Sequence, residues 1–360
     1  MRPWHVVGAV GVLYVAVTLA RFGGDARAFA VICPDPQRVA TGHCGYDGQF
    51  AYAIAVDPAG GGRFTDAPAY RYQRILYPML ARVIGMGQAH LIPWALVLIN
   101  LLALVAGTAV VERILRHYGA SRWYALAYGL FAGTLMPVRL DLTEPLAYGL
   151  ALGGVWSAMQ SRHRLSGLLL ALAALTKETT LLFAVGIIAA SGMDRRYRAA
   201  IEIALATGLA FAAWQLALRS QFGQFGIGSG GALGTPFEVI PLRGWWALAS
   251  IDPAAFALIS LVMLPMAIVP ALLGLWSVAR DFVRRQIDLP ALLLFVHAGV
   301  VLFTPQSTFR EPLGMARFAV GLVASTLIYA AARRSRRGLN YALLWIFTLA
   351  LALNESGLPV

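Results

Sequence analysis

The stretch LSGLLLALAALTKETTLLFAVGIIAASGM, residues 165–193, decides how the whole chain is threaded. It is apolar at both ends and carries Thr176, Lys177, Glu178 and Thr179 in its middle. Read as one long span, it places Lys177 and Glu178 near the centre of a bilayer, where each charge costs roughly 2.5–3.5 kcal/mol on insertion scales. That threading also sends three later groups outside: Arg195, Arg196 and Arg198; Arg284 and Arg285; and Arg333, Arg334, Arg336 and Arg337. Short loops rich in Lys and Arg stay on the cytoplasmic side. Two short helices turning near residues 176–179 keep these groups, with Arg162, His163 and Arg164, on that side. A hairpin is therefore expected, with its turn buried in protein or facing a wet cavity, since lipid cannot satisfy bare backbone.

The rest of the chain has the same character. Of its 360 residues 59% are hydrophobic and 13% charged, with a mean hydropathy of +0.68. A soluble domain carries about 25% charged residues. Spans of about 20 apolar residues, several of them shorter here, are expected at 4–21, 89–111, 122–138, 145–160, 199–218, 257–279, 289–303, 316–332 and 339–354. Residues 75–87 are too short to span and contain Pro78 and Arg82, which suits an interfacial or re-entrant helix. The first apolar run has no clear small-residue cleavage pattern after it and reads as an uncleaved span.

The fold expected is all-α: one polytopic integral membrane domain over residues 1–360, with about eleven membrane segments once the hairpin is counted. Its N-terminus is expected in the cytoplasm and its C-terminus outside, with extracytoplasmic loops at 22–74 and 219–256. The net charge of +12, concentrated in short loops, points to membrane lipid headgroups or phosphates as partners and away from nucleic acid. Cys33 and Cys44 share the first loop, where either a disulfide or two thiols is open. No Walker loop, dinucleotide fingerprint or His/Cys metal spacing is present in the sequence.

With that threading the polar residues gather on the extracytoplasmic side. Asp47, in the turn Gly45-Tyr46-Asp47-Gly48-Gln49, is placed to deprotonate a hydroxyl or help hold a divalent ion, or to cap the helix that begins near Gln49. Arg71 and Arg74 flank aromatics and suit a phosphate or pyrophosphate, or snorkel to headgroups. In Arg139-Leu140-Asp141-Leu142-Thr143-Glu144-Pro145, Pro145 fits a first helical turn and Thr143 or Glu144 its cap. Capping leaves the charges of Asp141 and Glu144 unexplained, so both are candidates. Lys177 and Glu178 are candidates as intramembrane ionisable residues, with Lys177 facing an anionic headgroup. Arg310-Glu311-Pro312 with Arg317 offers further cover for the same cavity, Arg310 being the substrate-binding candidate.

At these residues the chain resembles the GT-C class of membrane glycosyltransferases, which use polyprenyl-phosphate-linked sugars. The likeness lies in an acidic residue in the first extracytoplasmic loop (Tyr46-Asp47-Gly48-Gln49), a second acidic turn into a helix (Thr143-Glu144-Pro145), and a helical pair turning at Leu175-Thr176-Lys177. More narrowly, Tyr46-Asp47-Gly48-Gln49-Phe50, Asp57-Pro58 and Arg71-Tyr72-Gln73-Arg74-Ile75-Leu76-Tyr77-Pro78 look like a bacterial multi-pass family linked to cell-surface glycopolymer formation. The resemblance implies a GT-C-like bundle in the bacterial inner membrane. It implies inverting transfer, on the extracytoplasmic face, from a lipid-linked sugar donor to a glycan or lipid acceptor. Asp47 is then the base or a metal-positioning acid and Glu144 assists. Arg71, Arg74 and Lys177 hold the donor phosphate. The need for a divalent cation is left open. Unlike larger members, the chain has one Asp, not an adjacent acidic pair, at the first motif, and no soluble domain after the membrane region. A transporter or flippase of lipid-linked glycans, or a non-catalytic subunit of an assembly complex, uses the same residues in other ways.

Overall fold

Apolar runs bounded by Pro, Gly and Arg become the helices. The computed structural model describes residues 1–353, and its regular elements there are all helical. The principal helices are α1 (Pro3–Arg21), α2 (Ile92–His117), α3 (Ala132–Arg139), α4 (Glu144–Met159), α5 (His163–Thr176) and α6 (Leu181–Met193). They continue with α7 (Tyr197–Phe222), α8 (Pro253–Val283), α9 (Leu289–Leu302), α10 (Pro312–Ala332) and α11 (Arg336–Ala342), the last running on as a 3-10 helix, Leu343–Leu353. Five of these, α1, α2, α7, α8 and α10, are long and apolar enough to cross a membrane. Helices α5, α6 and α9 are apolar but shorter.

The chain reverses at Lys177. Helix α5 ends at Thr176, and Lys177 is extended, with φ −159° and ψ 122°. A single 3-10 turn, Glu178–Thr180, then starts α6. The direction of α6 follows from its neighbours. The Cβ position of Gly167, near the start of α5, lies 2.8 Å from Ala206 and 3.5 Å from Ile203. The early turns of α5 and α7 are therefore side by side, and α7 begins four residues after α6 ends. Helix α6 must return to the end of the bundle where α5 began. This is the hairpin geometry, and its reason is local: Thr176 and Thr180 bond the carbonyls of Leu172 and Lys177 instead of extending a helix through the charged pair.

Three expected spans differ in form, the last of them, 339–354, being the end of α11 followed by the 3-10 helix Leu343–Leu353. Residues 122–138 are not one helix but a 3-10 turn (Arg122–Ala125), a short helix (Leu126–Gly129) and α3. Just after the break α10 packs closely on the start of α3, since a Cβ at Gly133 would stand 2.2 Å from the Ala316 carbonyl oxygen. Within α8 the coil widens to a π-turn at Leu264–Ile268, where Pro265 has no N–H to give. Tyr341 Oη donates to the Pro265 carbonyl at 2.6 Å and Trp345 Nε1 to that of Met266 at 2.8 Å. Position 354, which closed the last expected span, and the C-terminus expected outside lie beyond the described residues.

The first long loop is also helical. Its helices include Gly48–Val56 and Pro68–Tyr72, and Leu76–Ile84 follows the loop inside the stretch expected as interfacial. Arg82 donates to the carbonyls of Ala55 and Val56 at 2.9 and 2.7 Å, closing the C-terminal end of Gly48–Val56. Cys33 and Cys44 form a disulfide, and the Gln49 carboxamide braces it by accepting from Cys33 N and donating to the Cys44 carbonyl. At the opposite end of the bundle Arg333 ties α10 to Asp281 and Asp288 at 2.8 and 2.6 Å.

The contact at Gly133 is a test of this packing. Gly133→Ala should destabilise the protein by roughly 1–3 kcal/mol, the usual cost of overpacking. Gly208→Ala in α7, where nothing lies within 4 Å of the added methyl, should be neutral or mildly stabilising. Thermal unfolding in detergent of both variants beside the wild type checks the pair.

Candidate functional site

Helix α4 starts where it does because Pro145 stands in its first turn. Thr143 takes the N-cap position without a side-chain bond, so it is not the cap that its type suggested. Glu144 points into the protein and is fully buried, 0% exposed. A buried carboxylate needs cationic partners, and two reach one of its oxygens: Lys177 Nζ at 2.9 Å and Arg317 Nε at 2.7 Å. Lys177 is delivered by the hairpin turn and Arg317 by the second turn of α10.

Arg317 extends the connection to the first loop. Its Nη2 donates to Asp47 Oδ2 at 2.8 Å and its Nη1 to Tyr46 Oη at 3.2 Å, while Tyr46 Oη donates to Glu311. The other Asp47 oxygen accepts from Arg71 Nη1 at 2.9 Å. Arg71 also makes a paired fork with Asp66, at 2.6 and 2.8 Å, and lies 4.1 Å over the Phe50 ring. Asp66 in turn accepts from the backbone N–H of Ala232 at 2.9 Å, so the glycine-rich stretch after α7 is laid over the Asp66–Arg71 pair. Gly231 sits close against the pair, its Cβ position 2.9 Å from Arg71 Nη2, so a side chain there would press on the guanidinium.

Asp47 is thus not an Asx cap. It precedes helix Gly48–Val56 but makes no capping bond, and both its oxygens go to guanidinium groups. Burial acts to raise its carboxyl, but Arg71, Arg317 and Arg74 outweigh burial and hold it well below the usual carboxylate range. Its side chain is 27% exposed, against 3% for Asp66 and 0% for Glu144. Of these three acids, only Asp47 reaches solvent to an appreciable degree.

Arg74 and Glu178 form an adjoining pair, bonded at 2.9 and 3.2 Å, with Tyr70 Oη 2.6 Å from Arg74. They join the first loop to the hairpin turn a second time. Gln73 and the Tyr72 carbonyl are held by Gln215 and Trp214 of α7.

The structure therefore brings Asp47, Arg71, Arg74, Glu144, Lys177 and Glu178 to one place. Two candidates are placed otherwise. Arg310 is exposed and makes no side-chain bond among the described residues. Its expected place is taken by Arg317, because helical geometry from Pro312 turns position 317 inward and leaves 310 on the short preceding helix, Gln306–Arg310. Asp141 is fully buried with φ +48° in the turn between α3 and α4, and neither of its carboxylate oxygens has a hydrogen-bond partner among the described residues. Burial pushes its carboxyl well above the usual range, against a smaller opposing pull from Arg139. It adjoins Gly48, whose Cβ position is 3.2 Å from Asp141 Cβ, but it does not share the ion-pair network.

Sequence reasoning named Arg317 only as a companion of Arg310 and did not single out Asp66. The signal for Arg317 was present: it is the one charge inside the otherwise apolar run 312–332. Among the described residues no three His, Cys, Asp or Glu side chains are grouped as metal ligands. A cleft of about 570 Å³ lies between the disulfide loop and Arg139, lined by Cys44 and Gly45 but not by Asp47. Compared with known proteins, the chain matches no family model, no curated protein and no solved structure.

Asp141 yields a pH prediction. Its folded pKa is raised above the unfolded value of about 3.9, so its contribution to stability is present at acid pH and is lost as pH rises towards the folded pKa. Asparagine keeps the neutral shape and tolerates positive φ. Asp141→Asn should melt close to wild type at pH 4 and above it at pH 7. A variant less stable than wild type at both values would show that the charged carboxylate is used.

Proposed function

We propose that this protein is a polytopic enzyme of the bacterial cytoplasmic membrane that transfers a sugar from a polyprenyl-phosphate donor to a glycan or lipid acceptor in cell-surface glycopolymer or glycolipid assembly. In this reading the bundle has about eleven membrane segments in a GT-C-like arrangement. Arginine-rich turns such as 195–198 and 333–337 face the cytoplasm, and the Asp47 cluster faces outside, where a Cys33–Cys44 disulfide is chemically at home.

One observation carries the proposal. Four cations, Arg71, Arg74, Lys177 and Arg317, converge from the first loop, the hairpin turn and α10 on a place where Asp47 is the most exposed of the acids paired to them, 27% against 19% for Glu178. Sugar transfer from a lipid phosphate asks for both kinds of group. The acceptor hydroxyl gives its proton to Asp47 as its oxygen bonds the anomeric carbon. The bond from that carbon to the phosphate oxygen breaks, and its electron pair stays on the leaving polyprenyl phosphate. Arg71, Arg317 and Lys177 stabilise the charge that develops there. Glu144 holds Arg317 and Lys177 in place and is a positioning residue.

A flippase of lipid-linked glycans has one observation in its favour. Asp47 is held ionised by two guanidinium groups, which makes it a weak base in the resting site. The two readings part at one substitution. Given radiolabelled polyprenyl-phosphate sugars, the purified protein should release label from the lipid, and Asp47→Asn should slow that release by about 10²–10⁴-fold at unchanged protein level. Lipid translocation retained in Asp47→Asn, with no donor turnover by wild type across a broad panel, would sink the transferase reading.

A further inference from the structure

The acids of the cluster are not held alike. Asp66 is anchored by two bonds from Arg71 and one from the Ala232 N–H. Glu144 is locked between Lys177 and Arg317, and Glu178 is forked by Arg74. Asp47 alone bridges two guanidinium groups from different elements, giving one oxygen to each, with no capping bond or backbone N–H to its carboxylate. Arg71 Nη1 and Arg317 Nη2 therefore converge, from the first loop and from α10, on a group one carboxylate wide. Both arginines have a second, buried acid that keeps them in position when Asp47 leaves: Asp66 for Arg71 and Glu144 for Arg317. Lys177, next to Arg317 on Glu144, has three ammonium donors and spends one of them, on that acid.

A pair of guanidinium groups pre-positioned by other acids is a phosphate receptor, since phosphate oxygens accept charge-assisted bonds as carboxylate oxygens do. We propose that Asp47 occupies the phosphate place of this receptor in the resting protein, and that a lipid-borne phosphate displaces it from Arg71 and Arg317, with Lys177 completing the cradle. The carboxylate is an internal competitor. Arriving phosphate takes its two hydrogen-bond donors, and the freed Asp47 stands beside the bound group, with the proton affinity that the arginines had suppressed restored to it. The base is thereby switched on by the donor it serves, and an empty site keeps its cations compensated within the protein.

This inference rests on the proposed reading of the cluster as a phosphate site, but not on turnover, so binding and turnover are measured separately. The full chain, purified in detergent, is titrated with polyprenyl monophosphate, phosphatidic acid and inorganic phosphate in separate arms. The proteins are wild type, Asp47→Asn, Asp47→Ala and Arg71→Met, with Asp25→Asn, which removes half of an exposed ion pair, as the control. Removing a charged competitor should tighten phosphate binding by about tenfold in both Asp47 variants, as expected for loss of a charge-assisted contact. Asp25→Asn should bind as wild type and Arg71→Met more weakly. A gain confined to the lipid arms identifies a lipid headgroup as the ligand, and a gain in all three identifies phosphate itself; both uphold displacement. Affinity unchanged or weakened in every arm for both Asp47 variants overturns it. Tighter binding with no sugar turnover in wild type keeps the displacement and removes the transferase. Turnover lost in Asp47→Asn without tighter binding keeps the transferase and removes the displacement.

Discussion

The guanidinium of Arg317 is the constraint from which the rest of the structure follows. It sits in the second turn of an apolar helix, where an unpaired charge is far too costly to bury. Its planar fork is satisfied from three directions by Asp47, Glu144 and Tyr46. Two of these lie about 270 positions away in the chain. One side chain thus joins the first loop, α4 and α10, and through Glu144 it also collects Lys177 from the hairpin turn.

Such a network is weak evidence for stability, because desolvation offsets much of the attraction between buried ions. Its larger consequence is geometric. Each pair fixes one element against another: Arg71 with Asp66 orients the loop, Arg74 with Glu178 docks the loop on the hairpin, and Ala232 with Asp66 lays the glycine-rich stretch across them. At the far end Arg333, Asp281 and Asp288 do the same for α8, α9 and α10. The middle of the bundle is apolar and packed by small residues, with glycines such as Gly133 and Gly167 at points where helices nearly touch. The ion-pair network is gathered at one end, where Asp66 and Glu144 are buried against their cations and Asp47 is the most exposed of the paired acids.

Most candidate site residues were legible because charge in an apolar context is expensive. Asp47, Arg71, Arg74, Glu144, Lys177 and Glu178 each interrupt or border such runs, and all are drawn into the cluster. Arg317 carried the same signal, a lone charge in the apolar run 312–332, but its direction relative to Arg310 was not legible. Seven positions separate them, and which one faces inward depends on where the helix begins, at Pro312. Asp141 shows the converse. It carries the same local signal as Glu144 three positions on, but the turn leaves its carboxyl sealed without a partner. The break in residues 122–138 was not legible either; α10, which packs on Gly133 just after it, comes from far along the chain.

The sequence by itself determined that the chain is helical and rich in apolar segments, and that it must turn back at Lys177. These follow from hydropathy, the placement of Pro, Gly and Arg, and the cost of ions in an apolar setting, which are all local. Only the tertiary structure decided which acid pairs with which cation, that Cys33 joins Cys44, and that Asp47 serves two arginines rather than its own helix. Pairing is a matter of distance between elements remote in sequence, and a guanidinium will accept any carboxylate that packing brings within reach.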